Sequence, residues 1–333
     1  MSSFKTISII FSALISCAPL FGASEVADSY TKTFQVNGRP TLNIKNADGR
    51  TQITAKEGST VEIQVTKEVR GTKNPASAKK AADEVEVILE QTGNRIDVSV
   101  KYPKKIFNIG LSPSVNVNFE ITSPPASDIA ASMADGQMDV EGFDGTIGLK
   151  GVDGDTTASK LSGDVTISGV DGDIHATELS GKMDISVVDG DVISEQCKGQ
   201  LNLRSTDGKM RLKDFQGTLE TKTGDGSAFL DGVFDALNVR TTDGNLEIHA
   251  QQGSTAKSNW SIHSSDGNLL IFLPTPFPAN VELRAGDGKI MTSLPIEVSG
   301  RISDRSISGK MNGGGNLLQI ETRDGDITIS QTQ

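Results

Sequence analysis

The side chains with chemical reach in this sequence are its carboxylates, three histidines and two cysteines, and their spacing limits what each could do. Asp-Gly occurs at Asp135, Asp153, Asp171, Asp189, Asp207, Asp225 and Asp243, once every 18 residues. A second aspartate follows in Asp153-Gly154-Asp155, Asp171-Gly172-Asp173, Asp189-Gly190-Asp191 and Asp324-Gly325-Asp326. Paired carboxylates of this kind could hold calcium, as the loops of a parallel β-roll do. A β-roll, however, repeats Gly-Gly-x-Gly-x-Asp in every nine residues, and this chain does not. EF-hand loops are absent as well. Gln137, Lys209, Ser227 and Asn245 take the second-aspartate position in the other repeats, and Lys209 would set a cation into any ion column. A calcium-binding β-roll-like protein is therefore the alternative reading, and no metal ligand is assigned.

The histidines, His175, His249 and His263, do not pair at metal-ligand spacing, and the first two fall beside inward positions at outward parity. A carboxylate pair in a groove would suit a polysaccharide-acting β-helix enzyme. Here the carboxylates repeat as corners, and no pair is singled out. No catalytic residue and no cofactor are assigned, and the chain is read as a non-enzyme. Cys197 is expected on an inward column as a small hydrophobe, since an active thiol needs a cation or histidine beside it. With one internal cysteine, no intrachain disulfide framework holds an exported chain together.

These residues sit on a repeat. Midway between the Asp-Gly pairs lies a second turn mark at Gly145, Gly163, Gly181, Gly199 and Gly217, with Asp235 in the last place. Each unit thus divides into two nine-residue halves, each a turn and a short strand. Four apolar columns keep the same step. They are Met138, Thr156, Ile174, Val192, Met210, Ala228, Leu246; Phe143, Leu161, Leu179, Cys197, Phe215, Val233; Ile147, Val165, Met183, Leu201, Leu219, Leu237; and Leu149, Ile167, Ile185, Leu203, Thr221, Val239. Apolar and polar residues alternate within each half, a period of two that means strands. Strands stacked at a fixed long period form a β-solenoid whose coils bury one another's inward residues. Six coils from 135 to 242 would rise about 29 Å, at roughly 4.8 Å each. Glycine reaches positive φ at little cost and aspartate bonds local backbone, so a recurrent Asp-Gly corner needs no ligand to explain it.

The flanks use the same vocabulary less regularly. Strands are expected at Thr41 to Ile44 and Thr51 to Thr54 around Asp48-Gly49, and then at Val61 to Val65. Asn74-Pro75 should cap one short helix ending near Asp83. Further strands are expected at Val85 to Leu89, Ile96 to Val100 and Val115 to Ile121. Pro274, Pro276 and Pro278 read as a loop leaving the stack. Gly313-Gly314-Gly315 reads as a turn before a last pair, Leu317 to Thr322 and Ile327 to Ile329.

Residues 1–24 read as a secretory signal, with Lys5 ahead of an apolar stretch from Ile7 to Ile15. Leu14-Ile15-Ser16-Cys17 fits a bacterial lipobox, which would make Cys17 the acylated first residue and a membrane anchor. Gly22-Ala23-Ser24 offers ordinary cleavage instead, although Phe21 fits poorly three residues before the cut. The net charge of −11 disfavours a nucleic-acid partner, because binding phosphates takes a basic surface. Aromatics at 5% disfavour a large aromatic-lined enzyme core.

Asn46-Ala47-Asp48-Gly49-Arg50-Thr51, Val170-Asp171-Gly172-Asp173-Ile174 and the ending Gly313-Gly314-Gly315 … Glu321-Thr322-Arg323-Asp324-Gly325-Asp326-Ile327 together resemble the DUF4097 family of adhesin-like β-strand repeat proteins, related to toastrack domains. The resemblance spans about residues 38–330, with the most regular coils at 135–250. It implies an all-β, right-handed, single-stranded parallel β-solenoid, a hand that the crossover rule also favours. The expectation is a non-catalytic protein of the periplasm or cell envelope. It would act as an adhesin-like binding surface or an envelope-stress scaffold, with an envelope or surface partner.

Overall fold

The computed structural model describes residues 25–103, 113–298 and 303–332. The signal segment 1–24, with Cys17, lies outside them. The described residues form strands throughout, except for loops and one helix, and the sheet is mostly parallel. None of the described helices is long and apolar enough to cross a membrane. The chain divides into two compact units, Met1–Asp144 and Gly145–Gln333.

The first unit holds β1 (Glu25–Gln35), β2 (Thr41–Ala55), β3 (Thr60–Arg70), α1 (Pro75–Asp83), β4 (Glu86–Thr92), β5 (Arg95–Lys101), β6 (Ser114–Ser123) and β7 (Asp128–Glu141). β2 is its central strand. It pairs in parallel with β7 along both halves, with β5 at Thr41–Lys45 and with β6 at Thr51–Ala55. The two strands expected around Asp48-Gly49 are thus one, because the bend at Gly49 (φ 118°) stays inside the ladder opposite Gly136. A purely parallel stack does not hold here. β1–β3, β3–β6 and β4–β5 are antiparallel, and β1 was not anticipated. Gly93-Asn94 joins β4 to β5 as a two-residue hairpin, which only antiparallel neighbours allow.

The helix forms where expected. Asn74 Oδ1 accepts the Ala76 N–H at 3.0 Å, and Ala78 and Ala82 are buried. At the other end the buried Lys67 of β3 donates its ammonium to the carbonyls of Ala82 (3.0 Å) and Val85 (2.8 Å). A cation there satisfies orphan carbonyls and complements the helix dipole.

The second unit begins with paired long and short strands: β8 (Asp144–Asp153), β9 (Thr156–Ser159), β10 (Ser162–Asp171), β11 (Ile174–Thr177), β12 (Ser180–Asp189), β13 (Val192–Glu195) and β14 (Lys198–Asp207). It continues through β15 (Met210–Asp225), β16 (Ala228–Asp243), β17 (Leu246–Ala250), β18 (Trp260–Asp266) and β19 (Leu269–Leu273). It closes with β20 (Ala279–Ala285), β21 (Ile290–Thr292), β22 (Glu297–Val298), β23 (Ser306–Met311), β24 (Leu317–Asp324) and β25 (Ile327–Gln331). Val165 pairs in parallel with Met183, then Met183 with Leu201, Leu201 with Leu219, and Leu219 with Leu237. All five are buried. The halves are unequal, ten residues in β12 against four in β13, because the Gly181 turn mark pairs within the long strand.

One column departs from expectation. Phe215 pairs with Gly232 and Gly217 with Phe234, a one-residue shift that turns Val233 outward and buries Phe234. A slip of one residue exchanges the faces of a strand. Phe234 then packs edge-on to Trp260 (6.2 Å), whose other neighbour is Phe277 (5.0 Å). The last strands also break chain order: β24 lies between β18 and β20, and β25 between β19 and β21. β23 adds antiparallel to β20.

Candidate functional site

The Asp-Gly corners are built from backbone. Gly172, Gly190 and Gly208 hold φ of 121°, 139° and 117°, and a Cβ on each would lie 2.2–2.5 Å from the carbonyl oxygen of the glycine 18 residues earlier. Only glycine meets both demands, positive φ and that approach. The second aspartates have a partner of their own. Asp155 Oδ1 accepts the Asp173 N–H (3.0 Å), Asp173 Oδ1 that of Asp191 (2.8 Å), and Asp191 Oδ1 that of Lys209 (2.7 Å). Asn245, Asn268 and Asp326 repeat the bond to Asn268, Asp326 and Lys289. Each carboxylate or amide thus staples its corner to the next. The first aspartates stack in register from Asp171 to Asp243. At one end, loss of hydration and then the neighbouring Asp266 and Asp225 push the Asp243 carboxyl up, while hydrogen bonds from Arg323 hold Asp266 down.

The regular outer face is dented at β15–β17. The corner and first inward residue there shrink to Ser227 and Ala228, where neighbouring repeats carry Asp191-Val192 and Lys209-Met210. The result is an open groove of about 360 Å³, with Ser227 and Asn245 on the corner side and Ile193, Arg211 and Phe229 on the strand side. The Arg211 guanidinium lies over the Phe229 ring (5.2 Å), Phe229 meets His249 (5.2 Å), and His249 meets Phe272 (4.4 Å). His249 Nε2 is 2.6 Å from Glu247 Oε1. This ridge of half-buried rings projects from outward positions, because Arg211, Phe229 and Glu247 share one row and His249 and Phe272 the next. Among the described residues neither Lys209 nor Arg211 has an ion-pair partner. The arrangement offers flat apolar area, two free cations and small polar groups together, which is the make-up of a binding groove.

A family model described as Toastrack DUF4097 matches residues 41–330. The chain belongs to this Toastrack family. Among solved structures, this Toastrack chain is similar to a putative cell adhesion protein from Clostridium sporogenes, at 12% identity over 91% of this chain and 99% of that one, TM-score 0.25. A putative adhesin from Bacteroides fragilis matches at 12% identity over 91% and 97%, TM-score 0.27. A putative lipid binding protein from Parabacteroides distasonis matches at 9% over 92% and 97%, TM-score 0.36. No curated protein matches.

The remaining sequence candidates of the Toastrack chain are dispersed. Cys197 is buried on its inward column. Burial pushes its thiol up, against hydrogen bonds from Ser194 Oγ (3.3 Å) and backbone that act the other way. His175 stands alone on the outward side of β11. His263 Nε2 lies 2.8 Å from Ser261 Oγ, and its Nδ1 lies 3.3 Å from Glu321 Oε2, a serine–histidine–carboxylate row. Ser261 sits mid-strand, however, between β16 and β24, and both ladders take up the backbone N–H groups that an oxyanion would need. A hollow of about 510 Å³ beside His263 gathers Arg284, Arg305 and Arg323. Each of these is paired: Arg284 with Glu321 (3.5 Å), Arg305 with Asp287 (3.6 Å) and Arg323 with Asp266 (3.1 Å). Sequence reasoning did not single out Arg211, Phe229 or Phe272. Their signal was present, as aromatic residues at outward parity beside the small Ser227-Ala228.

Proposed function

We propose that this Toastrack protein is a non-catalytic, exported binding module of the cell envelope, and that the groove beside Phe229 is its binding face. The observation that carries the reading is the outward ridge Arg211–Phe229–His249–Phe272 beside two unpaired cations. Apolar rings on a solvated strand face lose hydration when a ligand covers them, which drives association. The signal-like residues 1–24 support passage to the periplasm or surface, and Leu14-Ile15-Ser16-Cys17 supports acylation of Cys17. In this reading the strands of the second unit wind as right-handed 18-residue coils, the hand that parallel crossovers favour. The test is retention of the purified chain on washed envelope material from its own host. Wild type should bind, Phe229→Ala should lose most retention, and Thr157→Ala, outward on β9, should not. Equal retention of all three would refute the assignment.

A further inference from the structure

Resting on that binding-face reading, we infer that the groove takes an acidic glycan, an oligosaccharide whose sugars carry carboxylates. The chain carries a net charge of −11, yet Lys209 and Arg211, two residues apart in β15, both border the groove without an ion-pair partner among the described residues. The acids at the two ends of the groove are engaged. Asp191 Oδ1 accepts the Lys209 N–H (2.7 Å), and Glu247 Oε1 lies 2.6 Å from His249 Nε2. The free charge at the centre of the groove is therefore positive, and a guanidinium matches a carboxylate with two parallel hydrogen bonds.

Charge alone would suit any small anion. The neighbouring surface narrows the class. Phe229 presents a half-buried ring beside Arg211, and Ile193 extends the apolar wall by one strand. A pyranose has one face of C–H groups that lies against such a ring, with hydroxyls around its edge. Ser227 and the Asn245 amide stand on the opposite wall, where those hydroxyls would meet them. Asn245 Oδ1 already accepts the Asn268 N–H (3.1 Å), which leaves its NH₂ as the donor. The groove crosses β13, β15, β16 and β17, with strands about 4.8 Å apart. An extended sugar chain along the stack would place successive sugars over successive strands.

The experiment is isothermal titration of the full chain with tetragalacturonate at low ionic strength, beside neutral cellotetraose and a hexa-aspartate peptide. Tetragalacturonate should bind saturably at one site, about tenfold or more tighter than either comparison ligand. Arg211→Met, which keeps the packing stem, and Phe229→Ala should each weaken it about tenfold. Trp260 fluorescence melts verify that both variants remain folded. Equal binding of cellotetraose would remove the role of the cations, and equal binding of the peptide would remove that of the ring. Either result, or no binding at all, overturns the inference. If tetragalacturonate fails while envelope retention still depends on Phe229, the ligand class is wrong and the binding face stands. If retention is independent of Phe229, the binding face itself fails.

Discussion

Replacing Gly190 with alanine tests the physical basis of the corner column. Gly190 has φ 139°, and an added Cβ would lie 2.3 Å from the Gly172 carbonyl oxygen and 2.8 Å from its carbon. Backbone in that essentially glycine-only region costs an L residue about 1–3 kcal/mol. Relieving the overlap means moving a carbonyl held inside a ladder, and overpacking of that kind costs about 1–3 kcal/mol more. Alanine recovers about 0.4–1 kcal/mol by restricting the unfolded chain. The expected net loss is about 2–4 kcal/mol. Gly313→Ala supplies the comparison, since Gly313 has φ 88° but no atom within 4 Å of its would-be Cβ. It keeps the backbone strain without the clash, and its expected loss is about 1 kcal/mol. Both sites lie in the unit that contains Trp260, which is fully buried, so urea unfolding followed by tryptophan fluorescence reports on both. Losses within about 0.5 kcal/mol of one another would show that close approach between corners is not what requires glycine there.

Three further outcomes are expected. Asp191→Ala should cost about 1 kcal/mol by removing the acceptor for the Lys209 N–H, while Asp191→Asn should be near neutral, and EDTA or millimolar calcium at constant ionic strength should leave the melting temperature unchanged. A calcium-specific rise would overturn the staple reading. Leu201→Asp should cost several kcal/mol because it sets a charge among buried residues; Asn202→Asp, though outward, should cost about 1 kcal/mol, since Asn202 Nδ2 donates to Asp184 Oδ2 at 2.9 Å and a second carboxylate would repel it. Equal tolerance in urea melts would refute the register. Burial, then Asp48, pushes the Tyr102 hydroxyl up to about 12, and burial, then Asp28, raises Tyr30. These are both tyrosines of the chain, so ultraviolet titration should show less than half ionisation at pH about 10. The stability this contributes is fully present below the unfolded value near 10 and is lost as pH rises towards the folded value; half ionisation at the model-peptide pH would refute it.

The repeat was legible because its constraints are local. Asp-Gly corners and period-two alternation act through turn geometry and strand pleat, and both depend on residues a few positions apart. The Asn74-Pro75 cap is local in the same way, so the position of α1 followed from the sequence alone. The one-residue shift at Gly232 could not be read. Val233 and Phe234 are both apolar, and only cross-strand packing against Phe215 and Trp260 decides which of them turns inward.

The sequence by itself determined that the chain is a strand-built repeat with a fixed 18-residue step, which residues face inward over most of it, and that Cys197 belongs to the core. Tertiary structure alone decided three things. Closing strands β24 and β25 insert between earlier neighbours, because pairing partners are chosen by the edges left open, not by chain order. The second aspartates lost their ion-ligand appearance when each oxygen found a backbone N–H one repeat away. The groove arose where a small Ser227-Ala228 step met Arg211 and Phe229 across adjacent strands. Such meetings depend on register between residues 18 or more positions apart, and elementary periodicity fixes the step while leaving open which side chains fill the space.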